Sequence, residues 1–312
     1  MQEIKAWIDT LGYKNYTLEV ISADASFRNY YRLVLEDATL VVMDASAQRA
    51  SLIPFLDVSR RLLKARLTIP RIIFKNLDEG FLLLEDLGSI HLADLLNEQS
   101  FHLLYMKAIC EIVKMQKAEV KGLEPYDEAF LRLEMDLMKA WYVEKHLEKD
   151  LTKEAQEILE TTLSLITKEV LSQPQNVLVH RDFHSRNIML LGGKLIPIDY
   201  QDARVGAITY DLVSLLKDVY VEFDAKKIEV LALEFKRSKG IKVSDELFIR
   251  WFDFMGLQRH IKILGIFARL NIRDGKRGYL KHIPLTRKYI KQVCSKYKEL
   301  EPFMQLLEKE LL

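Results

Sequence analysis

Asp182, Asn187 and Asp199 are the residues of this chain whose types and spacing read most directly as chemistry. They stand in Q-N-V-L-V-H-R-D-F-H-S-R-N-I-M-L-L-G-G-K-L-I-P-I-D-Y-Q-D, residues 175–202. An H-x-D-x-x-x-x-N run, then a hairpin, then a second acid suits phosphoryl transfer from Mg-ATP. In that chemistry Asp182 takes the proton of the attacking hydroxyl, while the Asn187 amide oxygen and the Asp199 carboxylate hold Mg²⁺ against the phosphates. His180 and His184 flank Asp182 as H-x-D-x-H, a conceivable metal cluster. The downstream histidines lack local spacing, however, and the Asn/Asp pair already explains a hard-cation site. The expectation is that His180 hydrogen-bonds the backbone near Asp199 and that His184 packs the loop. Asp202 is a further carboxylate candidate for the same cleft.

Such groups need elements to hold them. The apolar runs 177–179, 188–191 and 195–198 read as short buried strands, with Gly192-Gly193 turning a hairpin between the last two. The polar side chains then fall at strand ends and in the loop between, gathered at one edge. Upstream, the pattern predicts a helix over 3–11, strands over 16–23, 30–36 and 39–44, and a helix over 48–66. A strand over 69–74, opened by Pro70, and the apolar F-L-L-L-E-D-L-G at 81–88 follow. From 92 to 171, i, i+3, i+4 spacing predicts long helices broken at Pro125, with Leu103, Met106, Ile109, Ile112, Val113 and Met115 as a core stripe. Strands first and helices after predict an α+β, bilobal plan, with an N-lobe over 1–87 and a mainly helical C-lobe over 88–312.

Taken in order, A-D-A-S-F-R-N-Y-Y-R-L (23–33), L-V-V-M-D-A (40–45), H-R-D-F-H-S-R-N (180–187), I-D-Y-Q-D-A (198–203), G-A-I-T-Y-D-L-V-S-L-L (206–216) and G-L-Q-R-H-I-K-I-L-G-I-F-A-R-L (256–270) carry a resemblance. The chain resembles the small-molecule branch of the eukaryotic-type kinase superfamily, that of aminoglycoside phosphotransferases and choline kinases. More narrowly, it resembles the bacterial anomeric N-acetylmuramate/N-acetylglucosamine kinases of cell-wall recycling. The resemblance implies a protein-kinase-like fold with a small antiparallel N-lobe sheet, ATP and Mg²⁺ as cofactors, and Asp182 as the base. It makes 24–29 the loop over the nucleotide phosphates, with Ser26 and Phe27 donating backbone N–H groups and Arg28 beside them. It puts the backbone of Glu85 and Leu87 at the adenine edge. It makes Asp211 the buried aspartate that ties down the catalytic loop's N–H groups; as a first-turn acid, Asp211 also complements a helix dipole.

Two departures stand out. The phosphate loop contains no glycine, and L-V-V-M-D-A offers Met43 and Asp44 where a protein kinase carries its phosphate-gripping lysine. Asp57 is the only acid on the helix that follows. Lysine and glutamate absent together imply a different phosphate grip, for which Arg28 and Arg32 are the candidates.

The 312 residues include 46 basic and 45 acidic, a net charge of +1, so no global field marks a nucleic-acid partner. No apolar stretch approaches the roughly 20 residues of a membrane span. The charged start M-Q-E-I-K-A-W-I-D-T does not read as a signal peptide, so the expected location is cytoplasmic, with no membrane partner. Cys110 and Cys294 match no metal or redox spacing and are expected as buried free thiols.

Local charge bears on the acceptor. Residues 241–312 hold 15 basic and 8 acidic side chains, where a polycationic aminoglycoside would want the reverse. Choline would want an aromatic cage with acids, yet Trp251, Phe252 and Phe254 read as helix core. Arg259, Lys262, Arg269 and Arg273 share one helix face. That face is by default solvated; as a functional element it is a basic wall that meets a carboxylate such as the lactyl group of N-acetylmuramate. The expected function is ATP-dependent phosphorylation of the anomeric hydroxyl of an amino sugar. A kinase for another small alcohol, or a nucleotide-binding scaffold without turnover, is the alternative. The sequence sets no oligomeric state.

Overall fold

All four residues of 81–84 are apolar, and the computed structural model, which describes residues 1–22 and 28–311, gives the reason: a helix covers each face of that strand. The chain opens with α1 (Gln2–Thr10), β1 (Thr17–Ser22), β2 (Asn29–Val34), β3 (Thr39–Asp44), α2 (Leu52–Lys64), β4 (Ile72–Asn76) and β5 (Phe81–Glu85). The strands form one antiparallel sheet in the order β1-β2-β3-β5-β4. Ile4, Trp7 and Ile8 of α1 pack with Phe81 and Leu83, whereas Phe55, Val58 and Leu62 of α2 join the core that holds Leu82 and Leu84. Successive side chains of a strand point to opposite faces, so one covered on both sides is apolar throughout. β4 begins later than Pro70 suggests, and Leu67 and Ile69 are buried in the approach to it.

The second lobe comprises α3 (Leu92–Leu95), α4 (Phe101–Met115), α5 (Glu128–Leu137), a π-helical turn (Met138–His146), α6 (Lys153–Leu171), β6 (Val177–Val179), β7 (Ile188–Leu191), β8 (Lys194–Pro197), β9 (Arg204–Gly206), α7 (Tyr210–Leu216), α8 (Ala225–Lys239), α9 (Asp245–Asp274), α10 (Ile283–Cys294) and α11 (Glu301–Leu306). The architecture is bilobal α+β, with a small antiparallel N-terminal sheet and a helix-rich C-terminal region, as in protein kinases. α9 is its axis. Its 30 residues span about 45 Å, and α5, α6, α7, α8, α10 and the π turn all pack on it. Buried residues run round most of its circumference, so its sequence shows little amphipathic contrast. Gly265 permits the closest approach: a Cβ there would lie 2.3 Å from the carbonyl carbon of Leu137.

Two burial expectations are corrected. Leu103 is 61% exposed and Cys110 is exposed, whereas Cys294 is buried. Positions 103 and 110 lie two helical turns apart on the outer face of α4, while Phe101, Tyr105, Ala108, Ile109, Ile112 and Met115 form the buried one. No helix among the described residues is long and apolar enough to cross a membrane.

Candidate active site

The loop 180–187 leaves β6 and is held at both ends by acids of one helical segment. Asp211, at the start of α7, accepts hydrogen bonds from His180 N (2.8 Å) and Arg181 N (3.0 Å). Asp218, just past that helix, accepts from Ser185 N at 2.9 Å and Ser185 Oγ at 2.5 Å, and its other oxygen accepts from Tyr220 N. Both acids are buried. Sequence reasoning missed Asp218; its signal is the acid seven residues after Asp211, at the far end of an apolar helix. The staples oppose backbone strain, for Arg181 (φ 78°) and Asp199 (φ 65°) both sit in the left-handed region, at a cost of about 1–3 kcal/mol each.

Both His180 ring nitrogens face backbone, Nε2 at 3.0 Å from Ile198 O and Nδ1 accepting from Asp182 N at 3.3 Å. They are therefore not metal ligands. His184 packs edge-on against Tyr220. The Asn187 amide nitrogen donates to Asp182 O at 3.1 Å, which leaves Oδ1 for a cation. Asn187 O accepts from Ile198 N, so the hairpin β7–β8 brings Asn187 and Asp199 together across its open end. Gly192 (φ 56°) and Gly193 (φ 76°) form the turn at the closed end, where two successive positive φ values favour glycine. Asp199 is exposed and accepts from Gln201 Nε2 at 2.8 Å. Two hard oxygen donors facing a cleft fit Mg²⁺, which takes one or two protein ligands and fills its shell with phosphates and water. Asp202 is exposed and accepts from Gln201 Nε2, while its carbonyl accepts from Arg181.

Asp182 keeps 45% of its side chain accessible. Arg259, from α9, lies 3.7 Å from its Oδ1 and donates to Arg181 O at 2.8 Å. Burial pushes the Asp182 carboxyl up, but Lys262, Arg259, His184 and Arg181 together outweigh it and hold the group well below the usual carboxylate range. Those cations are themselves anchored. Glu134 of α5, 6% exposed, takes Arg181 at 2.7 Å, Lys262 at 2.9 Å and the Tyr126 hydroxyl. Burial raises Glu134, and Lys262 and Arg181 reverse that.

Residues 17–238 match the phosphotransferase enzyme family. The chain belongs to that family. This phosphotransferase is 38% identical to the N-acetylmuramate/N-acetylglucosamine kinase of Neisseria meningitidis serogroup B, over 98% of its own length and 94% of the relative's. It is 35% identical to the protein of that name in Pseudomonas aeruginosa, over 98% and 95%. Among solved structures, ADP-bound aminoglycoside phosphotransferase APH(2'')-Ib shares the fold, with a TM-score of 0.65 over 97% of this chain and 98% of that one at 17% identity.

In the phosphotransferase, Ser26 and Phe27 lie outside the described residues. Arg28 is buried, donates to Ser51 O at 3.2 Å and hydrogen-bonds Tyr30, whose hydroxyl is pushed up to about 12 by burial, against the pull of Arg28 and with a further push from Asp199. Tyr30 thus lies within electrostatic reach of both Arg28 and Asp199. Arg32, the other candidate, is engaged elsewhere: it grasps both Asp86 oxygens (2.6 and 3.2 Å) and Gly88 O, tying β2 to the chain between the lobes. The missing lysine–glutamate pair has a mechanical counterpart. Tyr200, next to Asp199, stacks on Phe55 of α2 at 5.1 Å, and its hydroxyl meets Ser59 Oγ at 2.9 Å. Asp57 instead faces Arg60 and Arg61 of its own helix. Between the lobes, Glu85 N donates to Arg71 O, and Leu87 N donates to no carbonyl among the described residues. Leu87, Met189 and Ile196 form a small separate apolar cluster with Ile198 against it.

The basic face of α9 does not act as one wall. Arg259 and Lys262 are buried beside the 180–187 loop, Arg269 is half-buried, and Arg273, at the helix end, pairs with Asp274. About 20 Å of helix separates the first from the last. The solvated-face expectation fails for Arg259 and Lys262 because both turn inward to Arg181 and Glu134.

Proposed function

We propose that this phosphotransferase moves the terminal phosphoryl group of ATP to the anomeric hydroxyl of N-acetylmuramate or N-acetylglucosamine, giving the sugar 1-phosphate. The observation that carries the proposal is the 38% identity to a kinase named for these two sugars, which runs through 98% of the chain. It therefore includes the helical lobe, whereas the fold alone is shared with a kinase of another acceptor class. Asp182 orients the sugar hydroxyl and receives its proton late. An anomeric hydroxyl is more acidic than other sugar hydroxyls, so a weakly basic carboxylate suffices, and a loose transition state asks mainly for position and charge. Asn187 and Asp199 would hold Mg²⁺, whose charge would offset that of the transferring phosphates. Leu87, Met189, Ile196 and Ile198 give the purine an apolar floor beside the Glu85 and Leu87 backbone. Arg28 faces the phosphates. In this reading residues 1–87 cover the nucleotide, 88–312 hold the acceptor, and the activity is cytoplasmic.

The test is incubation with Mg-ATP and, separately, each sugar, its methyl glycoside, choline and kanamycin, followed by mass and ³¹P spectra. One phosphoryl group should appear on the free sugars and none on the methyl glycosides, which lack the anomeric hydroxyl. Phosphate on kanamycin or choline alone would overturn the acceptor assignment. Product from no compound would favour a scaffold.

A further inference from the structure

Arg186 is the cation of the 180–187 loop that the protein leaves open. It stands next to Asn187, four residues after Asp182, and its side chain is exposed. Its guanidinium lies 3.9 Å from the centroid of the Tyr220 ring, and among the described residues it makes no ion pair or side-chain hydrogen bond. The neighbouring charges are taken. Glu134 engages Arg181, the Arg181 carbonyl and Asp182 engage Arg259, and Asp86 engages Arg32. Of the acids nearby, Asp218 is filled by Ser185 and Tyr220, Glu222 faces Lys288, and Asp274 faces Arg273.

Tyr220 is itself fixed, with His184 edge-on at 5.1 Å and His282 edge-on at 4.8 Å. Burial holds both histidines below the ordinary imidazole value, helped at His282 by the Arg186 charge, so neither adds a full charge near neutral pH. The result is a planar, exposed cation laid on an aromatic face, one residue along the chain from Asn187 and four from Asp182. A guanidinium so held takes a carboxylate through paired N–H donors.

We infer that Arg186, stacked on Tyr220, binds a carboxylate carried by the acceptor and so selects lactyl-bearing N-acetylmuramate over neutral N-acetylglucosamine. This rests on the sugar-kinase function proposed above and replaces the α9 face as the anion-binding element.

The experiment measures kcat and KM for both sugars and for ATP in the wild type, Arg186→Gln and Arg186→Lys, with thermal melting to confirm folding. Arg186→Gln should raise KM for N-acetylmuramate about 10- to 100-fold, a loss at least about tenfold larger than any on N-acetylglucosamine. Arg186→Lys, which keeps the charge without the fork, should fall between. Equal effects on the two sugars, or a raised KM for ATP with sugar KM unmoved, overturn the inference alone, as does a wild type that accepts only N-acetylglucosamine. A wild type that phosphorylates neither sugar overturns the functional proposal, and this inference with it.

Discussion

With Arg259 3.7 Å from one oxygen and Lys262, His184 and Arg181 near it, the Asp182 carboxylate is ionised throughout the physiological range. Its replacement by asparagine keeps the shape and removes the proposed proton acceptor. Asp182→Asn should lower kcat by about 10²- to 10⁴-fold while KM for ATP changes only a few-fold; a parallel loss of ATP binding would place its work elsewhere. Acid sensitivity belongs to a different residue. Burial pushes Asp211 up to about 6, against the pull of His180 and the two backbone N–H groups it accepts. Because that value lies above the unfolded one, ionised Asp211 costs stability above about pH 6, and this cost disappears as pH falls towards 4. The loop needs the opposite form, since a protonated carboxyl is a weaker acceptor for the two N–H groups than a carboxylate. Turnover should therefore decline through an acid limb near pH 6 with no matching loss of folding stability from this group. Asp211→Asn should show a lower plateau without that limb in a kcat–pH profile.

Among elements, α2 and the segment after β8 are joined by Tyr200 rather than by an ion pair. Tyr200→Phe removes the Ser59 hydrogen bond and should cost about 1 kcal/mol. Tyr200→Ala also removes the ring that stacks on Phe55 and should cost about 3–5 kcal/mol. Urea unfolding gives both values. Steady-state kinetics should show kcat falling more than ATP affinity, because Asp199 is the neighbour left loose; unchanged kcat in Tyr200→Ala would deny this link a positioning role. Asp211 and Asp218 illustrate what an element reveals in sequence. The former was named through the family resemblance, its place at the head of an apolar helix implying by itself only a complement to the helix dipole, whereas the latter reads as any polar residue at a helix end until its burial against Ser185 is seen.

At the scale of the molecule, two lobes meet across a short strap held by the Arg32–Asp86 pair. A ligand gripping both lobes should stabilise the whole chain. A non-hydrolysable ATP analogue with Mg²⁺, at about a hundred times its Kd, should add about 2.7 kcal/mol, read as a raised melting temperature. Chelation should remove the Mg²⁺-dependent part, and Asp199→Ala should lack it from the start. By itself the sequence determined the order of elements, the β7–β8 hairpin and the polar residues at its open end. Alternation, turn glycines and loop spacing act between near neighbours, so they are written locally. It could not say which charges are spent. Arg259 and Lys262 share the letter pattern of a wet helix face, and Arg186 that of an ordinary loop cation. Only the packing of α9 turned the first two inward, across 78 residues of chain between Arg259 and Arg181. A charge's partner and its desolvation are set by contacts between distant segments, and those exist only once the chain has folded.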